Sequence, residues 1–274
     1  NRPPLNVRSI VKGLLDYPYG CLEQTTSAAY PHVFIDEEGA KAVGLVPHTR
    51  EQRAKFIEGA IGRIAGMQGA EGGFRLWNGD SGSYEAWLTP YVSSFLSDAR
   101  EAGFNVPEEM TKRAQKWMTD KLNGAANQFG TLPAAAKPDA TGRYDWRDYD
   151  LFRNNHQRFA ELAHIGYMLA RDQKASLASL RLLHDNYRER AKSPLPLVHL
   201  GIALSLMGDQ KRADVALNEA MNKAYGIRTD WEWDWLGDYG TAVRDQAMSY
   251  ALMLRHKMNH PQRETMLINL AERL

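Results

Sequence analysis

The sequence predicts an all-α fold. Apolar residues recur at the three- and four-residue spacing of an amphipathic helix along nearly the whole chain. Runs of alternating β-branched residues, which would indicate strands, are almost absent. The chain has 274 residues, of which 43% are hydrophobic and 24% charged, so we expect a folded soluble domain with a sizeable core.

The first half of the chain predicts helices over 5–16, 22–35, 49–67 and 84–102. Thr49 and Gln52 stand at capping-box spacing and mark the start of the third helix. Gly103 closes the fourth helix. The apolar stripe of the third helix consists of Phe56, Ile57, Ala60, Ile61, Ile64 and Met67.

The second half begins with a helix that starts after Pro107 and is followed by helices over 156–171, 174–190, 195–207, 210–224, 241–257 and 261–273. The helix after Pro107 carries Met110, Ala114, Trp117 and Met118 on one face. Breaks are predicted at Ser193-Pro194, Gly208-Asp209 and His260-Pro261.

Two stretches do not have a helical pattern. Residues 68–79 combine closely spaced glycines with aromatic residues. Residues 124–153 are rich in Ala, Pro, Gly and Asp and include Trp146 and Tyr149. Both stretches are candidates for functional loops at the rim of the helical fold.

The predicted helices can stack as an open solenoid or close into a ring of about six helical hairpins, with inner and outer helices. Residues 195–224 have the small-residue pattern of one hairpin repeat, but the pattern does not recur at a fixed period. The Gln-x-x-x-Gly-Gly-Phe segment at 68–74 resembles the turn between helices in prenyltransferase and terpenoid-cyclase toroids. This resemblance favours an α/α toroid. Since no polar linker divides the chain, we expect residues 1–274 to form one domain.

The composition of the chain argues against two classes of binding partner, nucleic acids and membranes. The formal net charge of +1 argues against nucleic acid and against a polybasic membrane contact. No apolar run approaches the roughly 18 residues of a membrane span. The chain begins with Asn1, without an initiator Met or a signal peptide, and we expect it to be a piece of a longer polypeptide.

The chemistry centres on Cys21, the one cysteine of the chain. Pro18 and Gly20 predict a tight turn, with a helix starting near Cys21. Residues three apart share a helix face, so the Cys21 sulfur can meet the side-chain carbonyl of Gln24. Attack of the thiolate on this amide, with loss of ammonia, closes an internal thioester. Exposed N–H groups at the helix start can stabilise the oxyanion formed on the carbonyl.

Gly20-Cys21-Leu22-Glu23-Gln24 resembles the thioester motif of the α2-macroglobulin and complement superfamily, specifically that of bacterial α2-macroglobulins, where Leu often stands between Cys and Glu. Residues 85–92, Glu-Ala-Trp-Leu-Thr-Pro-Tyr-Val, resemble the helix that follows the glycine-rich turn in these proteins. The resemblance implies that the chain is the thioester-containing domain of a larger multidomain protein.

The resemblance further implies a protease inhibitor rather than an enzyme. A protease cleaves a bait region elsewhere in the parent protein, and one of its lysine amines attacks the Gln24 carbonyl while the Cys21 thiol departs. The implied partners are attacking proteases and neighbouring domains of the parent. The implied location is the bacterial periplasm, with the parent anchored to the inner membrane.

Some complement proteins use a catalytic histidine to redirect the thioester to hydroxyls. The corresponding region here, about 129–145, contains no histidine, so we expect amines to be the preferred nucleophiles. His156 is the nearest histidine and is expected to cap a helix or to lie on the surface.

Other motif residues have plainer interpretations. Cys21 itself could be a buried structural thiol. Tyr17 and Tyr19 either pack as turn aromatics or shield the thioester from water. Glu23 is an acid in the first helical turn, where it complements the helix dipole.

Two other classes of protein remain open. Trp231, Trp233 and Trp235, with the carboxylates of residues 230–238, would suit a carbohydrate-active toroid enzyme, a glycosidase or lyase. A non-covalent helical scaffold would have no use for the pairing of Cys21 and Gln24. His256 and His260 lack the glutamate of a zinc-protease motif, so neither a metal nor another cofactor is predicted.

Overall fold

A computed structural model describes residues 20–79, 84, 87–129, 140–141, 146–223 and 240–273, together with Arg8 and Lys12. For residues 146–153 only the backbone is described. The described residues are mainly helical, and an antiparallel bridge joins Gln68 to Phe74. The chain forms two compact units, whose main spans are residues 4–118 and 119–273. A single domain over 1–274 stays a prediction.

The first unit contains α1 (Leu22–Ala29), α2 (Pro31–Phe34), α3 (Glu37–Ala42), α4 (Arg50–Ala65), α5 (Leu88–Glu101) and the start of α6 (Glu108–Asn123). The capping box predicted at Thr49 and Gln52 is confirmed, with both reciprocal hydrogen bonds present. Gly103 follows α5 with φ +78°, the left-handed conformation predicted for a closing glycine.

The structure of this unit differs from the sequence predictions in four details. The helix expected over 22–35 divides at Tyr30, because Pro31 starts a new helix and has no N–H to continue the old one. Helix α3 was not predicted, although Asp36 caps it by accepting a 2.8 Å hydrogen bond from Gly39 N. Helix α5 starts at Leu88 rather than near residue 84. Phe56, placed in the buried stripe, is 50% exposed.

The second unit contains α7 (Ala125–Phe129), α8 (Trp146–Arg171), α9 (Leu177–Leu182), α10 (Pro194–Leu206), α11 (Gln210–Asn222), α12 (Ala242–Arg255) and α13 (Arg263–Arg273). The prediction that 124–153 is non-helical was wrong at both ends of the stretch, where α7 and the start of α8, including Trp146 and Tyr149, lie; residues 130–139 and 142–145 are outside the described residues. The helix expected over 174–190 changes after α9 to a π-turn at Leu183–Tyr187 and a 3₁₀ turn at Arg188–Arg190. Most of the predicted helix 5–16 lies outside the described residues.

The helical hairpin predicted over 195–224 is confirmed by α10 and α11, which pack along each other. Ala203, Ala213 and Ala216 are fully buried. At Gly201 a Cβ atom would lie 2.8 Å from Leu217 Cγ, so this glycine permits the close approach of the two helices. None of the helices in the described part of the chain is long and apolar enough to cross a membrane.

His156 was expected at a helix start or on the surface, and this prediction was wrong. The residue lies inside α8 and is completely buried. Its Nδ1 accepts a 3.0 Å hydrogen bond from the backbone N–H of Lys192. Helix α8 begins ten residues before His156, so the preceding asparagines are helical rather than capping residues.

The glycine-rich turn at 68–79 is non-helical, as predicted, and is tightly held within the first unit. The Gln68 side-chain amide donates to the carbonyls of Gly72 and Met110, both at 2.9 Å. Phe74 N donates to Thr89 Oγ1 at 3.0 Å. Gly72 has φ +102°, and a Cβ atom there would overlap the carbonyl oxygen of Arg113. The turn therefore requires glycine at this position.

Several ionisable side chains are buried in the second unit. Glu161 is 4% exposed, and its Oε1 has no hydrogen-bond partner among the described residues. Burial raises the pKa of Glu161 to about 7, although the charges of Lys121 and Arg158 act in the opposite direction. The rings of His164 and His199 stack 4.2 Å apart, and burial lowers the pKa of His164 to about 3.

We predict that Gly72→Ala destabilises the first unit by about 2 kcal/mol or more, since it combines a strained φ with overlap against Arg113. Chemical denaturation measures the change. Gly59→Ala is the matched control, because Gly59 lies in α4 and no described atom is within 4 Å of its Cβ position. The control should be neutral or more stable by about 0.5–1 kcal/mol. Equal effects of the two substitutions would contradict the requirement for glycine.

We predict that Glu161→Gln stabilises the protein above pH 7 by up to about 3 kcal/mol. The folded-state pKa of Glu161 is raised from 4.5 to about 7, so its contribution to stability is present below pH 4.5 and is lost as the pH rises through 7. The gain from Gln should therefore vanish near pH 4.5. Unfolding measured from pH 4.5 to 8 tests this, with the exposed Glu109→Gln as control. A gain that is independent of pH would refute it.

Candidate functional site

Cys21 lies at the start of α1, where the sequence placed it. It is the N-cap residue, with an extended backbone (φ −73°, ψ 164°). Its Sγ accepts a 3.4 Å hydrogen bond from the backbone N–H of Gln24. Oxygen side chains usually fill this role, so a sulfur cap is uncommon. The cap turns the sulfur over the first turn of the helix, towards Gln24, and the residue is only 7% exposed.

Gln24 contributes a buried amide oxygen. Its Oε1 has no solvent contact and no hydrogen-bond partner in the described part of the chain. A buried carbonyl without a partner carries the cost of its lost hydration, about 1–3 kcal/mol. The structure thus brings together a buried thiol and a poorly satisfied amide in one helical turn.

Leu22 anchors the start of the helix. Its side chain is fully buried in the core of the first unit. Its backbone N–H donates a 2.9 Å hydrogen bond to the carbonyl of Leu76 in the glycine-rich turn. The motif and the turn, which the sequence singled out separately, are therefore directly bonded to each other.

Glu23 begins a chain of hydrogen bonds that sequence reasoning missed. Ser27 Oγ donates to Glu23 Oε1 at 2.7 Å and lies 2.9 Å from the hydroxyl of Tyr91. Tyr91 belongs to α5, and its ring stacks on Trp87 with the ring centroids 4.8 Å apart. The i,i+4 spacing of Glu23 and Ser27 was a visible signal, but the partner in α5 was not.

A second link joins the same two helices. The hydroxyl of Tyr30, at the end of α1, donates a 2.7 Å hydrogen bond to Asp98 Oδ2 in α5. The second half of α1 is therefore tied to α5 at two points, Ser27 and Tyr30, which fixes the orientation of the helix that carries Cys21.

Two adjacent threonines in α1 were also missed. Thr26 is fully buried, and its hydroxyl donates to the carbonyl of Leu22 at 2.7 Å. Thr25 is 5% exposed, and its Oγ1 has no hydrogen-bond partner among the residues that the structure describes. Of these two neighbouring threonine hydroxyls, that of Thr26 is hydrogen-bonded and that of Thr25 is not, within the described structure.

The structure describes the remaining candidates only in part. Gly20 is exposed, while Tyr17, Tyr19 and the cluster at 230–238 lie outside the described residues. His256 Nε2 pairs with the Tyr167 hydroxyl at 3.0 Å. Within the described ranges, no group of three or more His, Cys, Asp or Glu side chains is arranged to hold a metal ion.

The chain is similar to known proteins in both sequence and structure. The family model for the A-macroglobulin TED domain matches residues 5–133. The alpha-2-macroglobulin of Xylella fastidiosa (strain Temecula1) is 36% identical over 271 residues, which is 99% of this chain and 15% of that protein. The chain thus spans about a seventh of the length of the curated relatives that match it over its whole length.

Solved structures agree. Native alpha-2-macroglobulin from Escherichia coli, spanning domain MG7 to the C-terminus, superposes with a TM-score of 0.83 at 33% identity, over 99% of this chain and 39% of that one. Salmonella alpha-2-macroglobulin reacted with methylamine gives a TM-score of 0.80 at 33% identity, over 99% of this chain and 16% of that one.

These similarities show that the chain belongs to the α2-macroglobulin family. Within that family it is the TED, or thioester-containing, domain of a bacterial member. The predicted fold class, an all-α protein of the α/α toroid type, is confirmed by the solved structures it matches.

We predict that Ser27 and Tyr91 stabilise the first unit cooperatively. Ser27→Ala and Tyr91→Phe should each cost about 1 kcal/mol, because each removes one partner of their 2.9 Å contact. The double variant should cost less than the sum of the two, with a coupling of about 0.5–1.5 kcal/mol. Chemical denaturation of the four proteins gives the coupling directly. Strictly additive losses would show that the contact contributes nothing.

Proposed function

We propose that Cys21 and Gln24 close an internal thioester and that this domain is the single-use covalent trap of a protease inhibitor. The observation that carries the proposal is the N-cap geometry, in which the Cys21 sulfur accepts a hydrogen bond from Gln24 N at 3.4 Å. Helix spacing then lets the sulfur reach the side-chain carbonyl carbon of the same residue.

The state of Gln24 supports closure. The thiolate attacks the amide carbon, a C–S bond forms, the C–N bond breaks and ammonia leaves after taking up a proton. A thioester oxygen is a weaker hydrogen-bond acceptor than an amide oxygen. Since Gln24 Oε1 is buried without a partner in the described structure, closure lowers the cost of keeping this oxygen away from water.

In the trapping step the thioester reacts with an amine, which is the reverse of closure with a lysine amine in place of ammonia. The neutral lysine amine of a protease attacks the Gln24 carbonyl carbon, an amide bond forms and the C–S bond breaks. The proton lost by the amine is taken up by the departing Cys21 thiolate. The matching Salmonella protein was reacted with methylamine, a small amine of the same class. Family members are protease inhibitors rather than proteases, which fits a reaction that each domain performs once.

Amines are the proposed targets rather than hydroxyls, since residues 129–145 contain no histidine to form an acyl-imidazole. The trigger, cleavage of a bait region, lies elsewhere in the parent protein, whose other domains also shield the thioester. In keeping with the family resemblance, we propose that the parent lies in the bacterial periplasm, tethered to the inner membrane. Fractionation of cells that express the full-length parent tests this location.

The experiment that tests the trap is intact-mass analysis of the full-length parent before and after treatment with methylamine. The untreated protein should be one ammonia lighter than its sequence predicts and should show no titratable thiol at Cys21. Methylamine should add its whole mass at Gln24 and release one thiol. Cys21→Ala is the matched control and should keep the sequence mass in both conditions. A full sequence mass with a free thiol in the parent would overturn the proposal.

A competition experiment tests the nucleophile. Glycerol, offered at the same concentration as methylamine, should add much more slowly, since no general base or acyl-imidazole is proposed to activate its hydroxyls. Comparable addition of the two compounds would contradict the preference for amines.

A further inference from the structure

Thr25 carries a buried hydroxyl that has no partner among the described residues, one helical turn beyond Cys21. Its Oγ1 has no solvent contact and no hydrogen-bond partner in the described structure. An unpaired buried hydroxyl costs free energy, so its persistence requires an explanation. Ordinary packing of the helix does not supply one, because Thr26, the next residue, has its hydroxyl satisfied at 2.7 Å by the carbonyl of Leu22.

The local bond that would satisfy Thr25 is available but not made. A threonine in a helix commonly donates to the carbonyl four residues back, as Thr26 does. For Thr25 that carbonyl belongs to Cys21, which accepts the Thr25 backbone N–H at 2.9 Å, but the Thr25 hydroxyl makes no hydrogen bond to it. The hydroxyl of Thr25 therefore has its proton free for another acceptor.

The Cys21 sulfur belongs to the preceding turn of the same helix, and the Thr25 hydroxyl makes no hydrogen bond to it in the described structure. Residues four apart lie next to each other on a helix, as do residues three apart. The side chain of Cys21 is thus flanked on the following turn by both Gln24 and Thr25. Each of these two neighbours has a buried side-chain oxygen without a partner among the described residues, Gln24 Oε1 and Thr25 Oγ1.

We propose that the Thr25 hydroxyl is the hydrogen-bond donor that stabilises negative charge on the Cys21 sulfur as the thioester opens. This inference rests on the proposed thioester. When the amine attacks and the C–S bond breaks, its electron pair passes to sulfur. The hydroxyl donates a hydrogen bond to the forming thiolate while keeping its own proton, and the thiolate finally takes up the proton released by the amine.

The absence of a ground-state partner for this hydroxyl makes it effective. A thiol or thioester sulfur is a weak acceptor, whereas a thiolate is a strong one, and hydrogen bonds to charged acceptors are about twice as strong as neutral ones. An interaction that is made only as charge develops lowers the barrier without stabilising the starting state. In this proposal Thr25 is a catalytic residue, because its hydroxyl donates to the sulfur as the C–S bond breaks.

The test compares three variants of the full-length parent. Thr25→Val keeps the shape of the side chain and removes the hydroxyl, while Thr25→Ser keeps the hydroxyl. Thr26→Val is the matched control, because it removes a buried hydroxyl in the same helix that is already paired. Intact mass first gives the thioester content of each variant. The rate of thiol release in methylamine is then measured on the closed fraction, and thermal unfolding verifies the fold.

We expect Thr25→Val to release its thiol about tenfold more slowly or worse, which is at the low end for loss of one transition-state donor. Thr25→Ser and Thr26→Val should stay within about twofold of the wild type, since neither removes that donor. A folded Thr25→Val that fails to close the thioester, while Thr26→Val closes it, also supports the proposal, because closure passes through the same charged sulfur.

Two results would overturn the inference. One is a Thr25→Val variant that closes and reacts like the wild type. The other is a Thr25→Ser variant as slow as Thr25→Val, which would assign the effect to the lost methyl group. Both differ from failure of the thioester proposal itself, in which the wild-type parent neither loses ammonia nor reacts with methylamine.

Discussion

The hydrogen bond from Leu22 N to the carbonyl of Leu76, 2.9 Å long, is the constraint on which the site depends. The first N–H groups of any helix lack partners within it. In α1 the glycine-rich turn satisfies one of them and the Cys21 sulfur satisfies another. The turn is fixed in its own right, by Gln68 and by a Gly72 that no other residue can replace without strain. The position of the sulfur is therefore set by two backbone N–H groups, that of Leu22 bonded to the turn and that of Gln24 bonded to the sulfur itself.

The surroundings of Cys21 divide sharply into satisfied and unsatisfied groups. Glu23, Ser27 and Tyr91 form a continuous set of hydrogen bonds that ties α1 to α5. Gln24 Oε1 and Thr25 Oγ1, on the same helix, are buried without partners in the described structure. Glu23 and Ser27 thus belong to a hydrogen-bonded network, whereas the side-chain oxygens with unused bonding capacity belong to the residues three and four positions after Cys21. Such a division suits a site that must hold its geometry while its bonds are exchanged.

Local signals in the sequence predicted the parts of the fold that depend on local chemistry. The capping box at Thr49, the closing Gly103 and the helix start at Cys21 are of this kind. The partner of Ser27 was not predictable, because Tyr91 lies 64 residues away and only the packing of α1 on α5 brings them together. Thr25 and Thr26 are chemically identical in the sequence, and only the structure distinguishes the paired hydroxyl of Thr26 from the unpaired one of Thr25. The buried position of His156 likewise depends on the backbone of Lys192, far along the chain.

The Cys21 sulfur has two roles, because it caps α1 and is also the sulfur of the proposed thioester. In the closed trap that we propose, the Gln24 N–H faces a thioester sulfur, which is a poor acceptor, whereas after release it faces a thiol or thiolate. The first turn of α1 would thus be held more firmly after the reaction than before it. The strength of the hydrogen bond donated by the Gln24 backbone N–H would therefore differ between the unreacted and the reacted domain. A neighbouring domain that contacts this end of the helix would meet a different helix terminus in the two states.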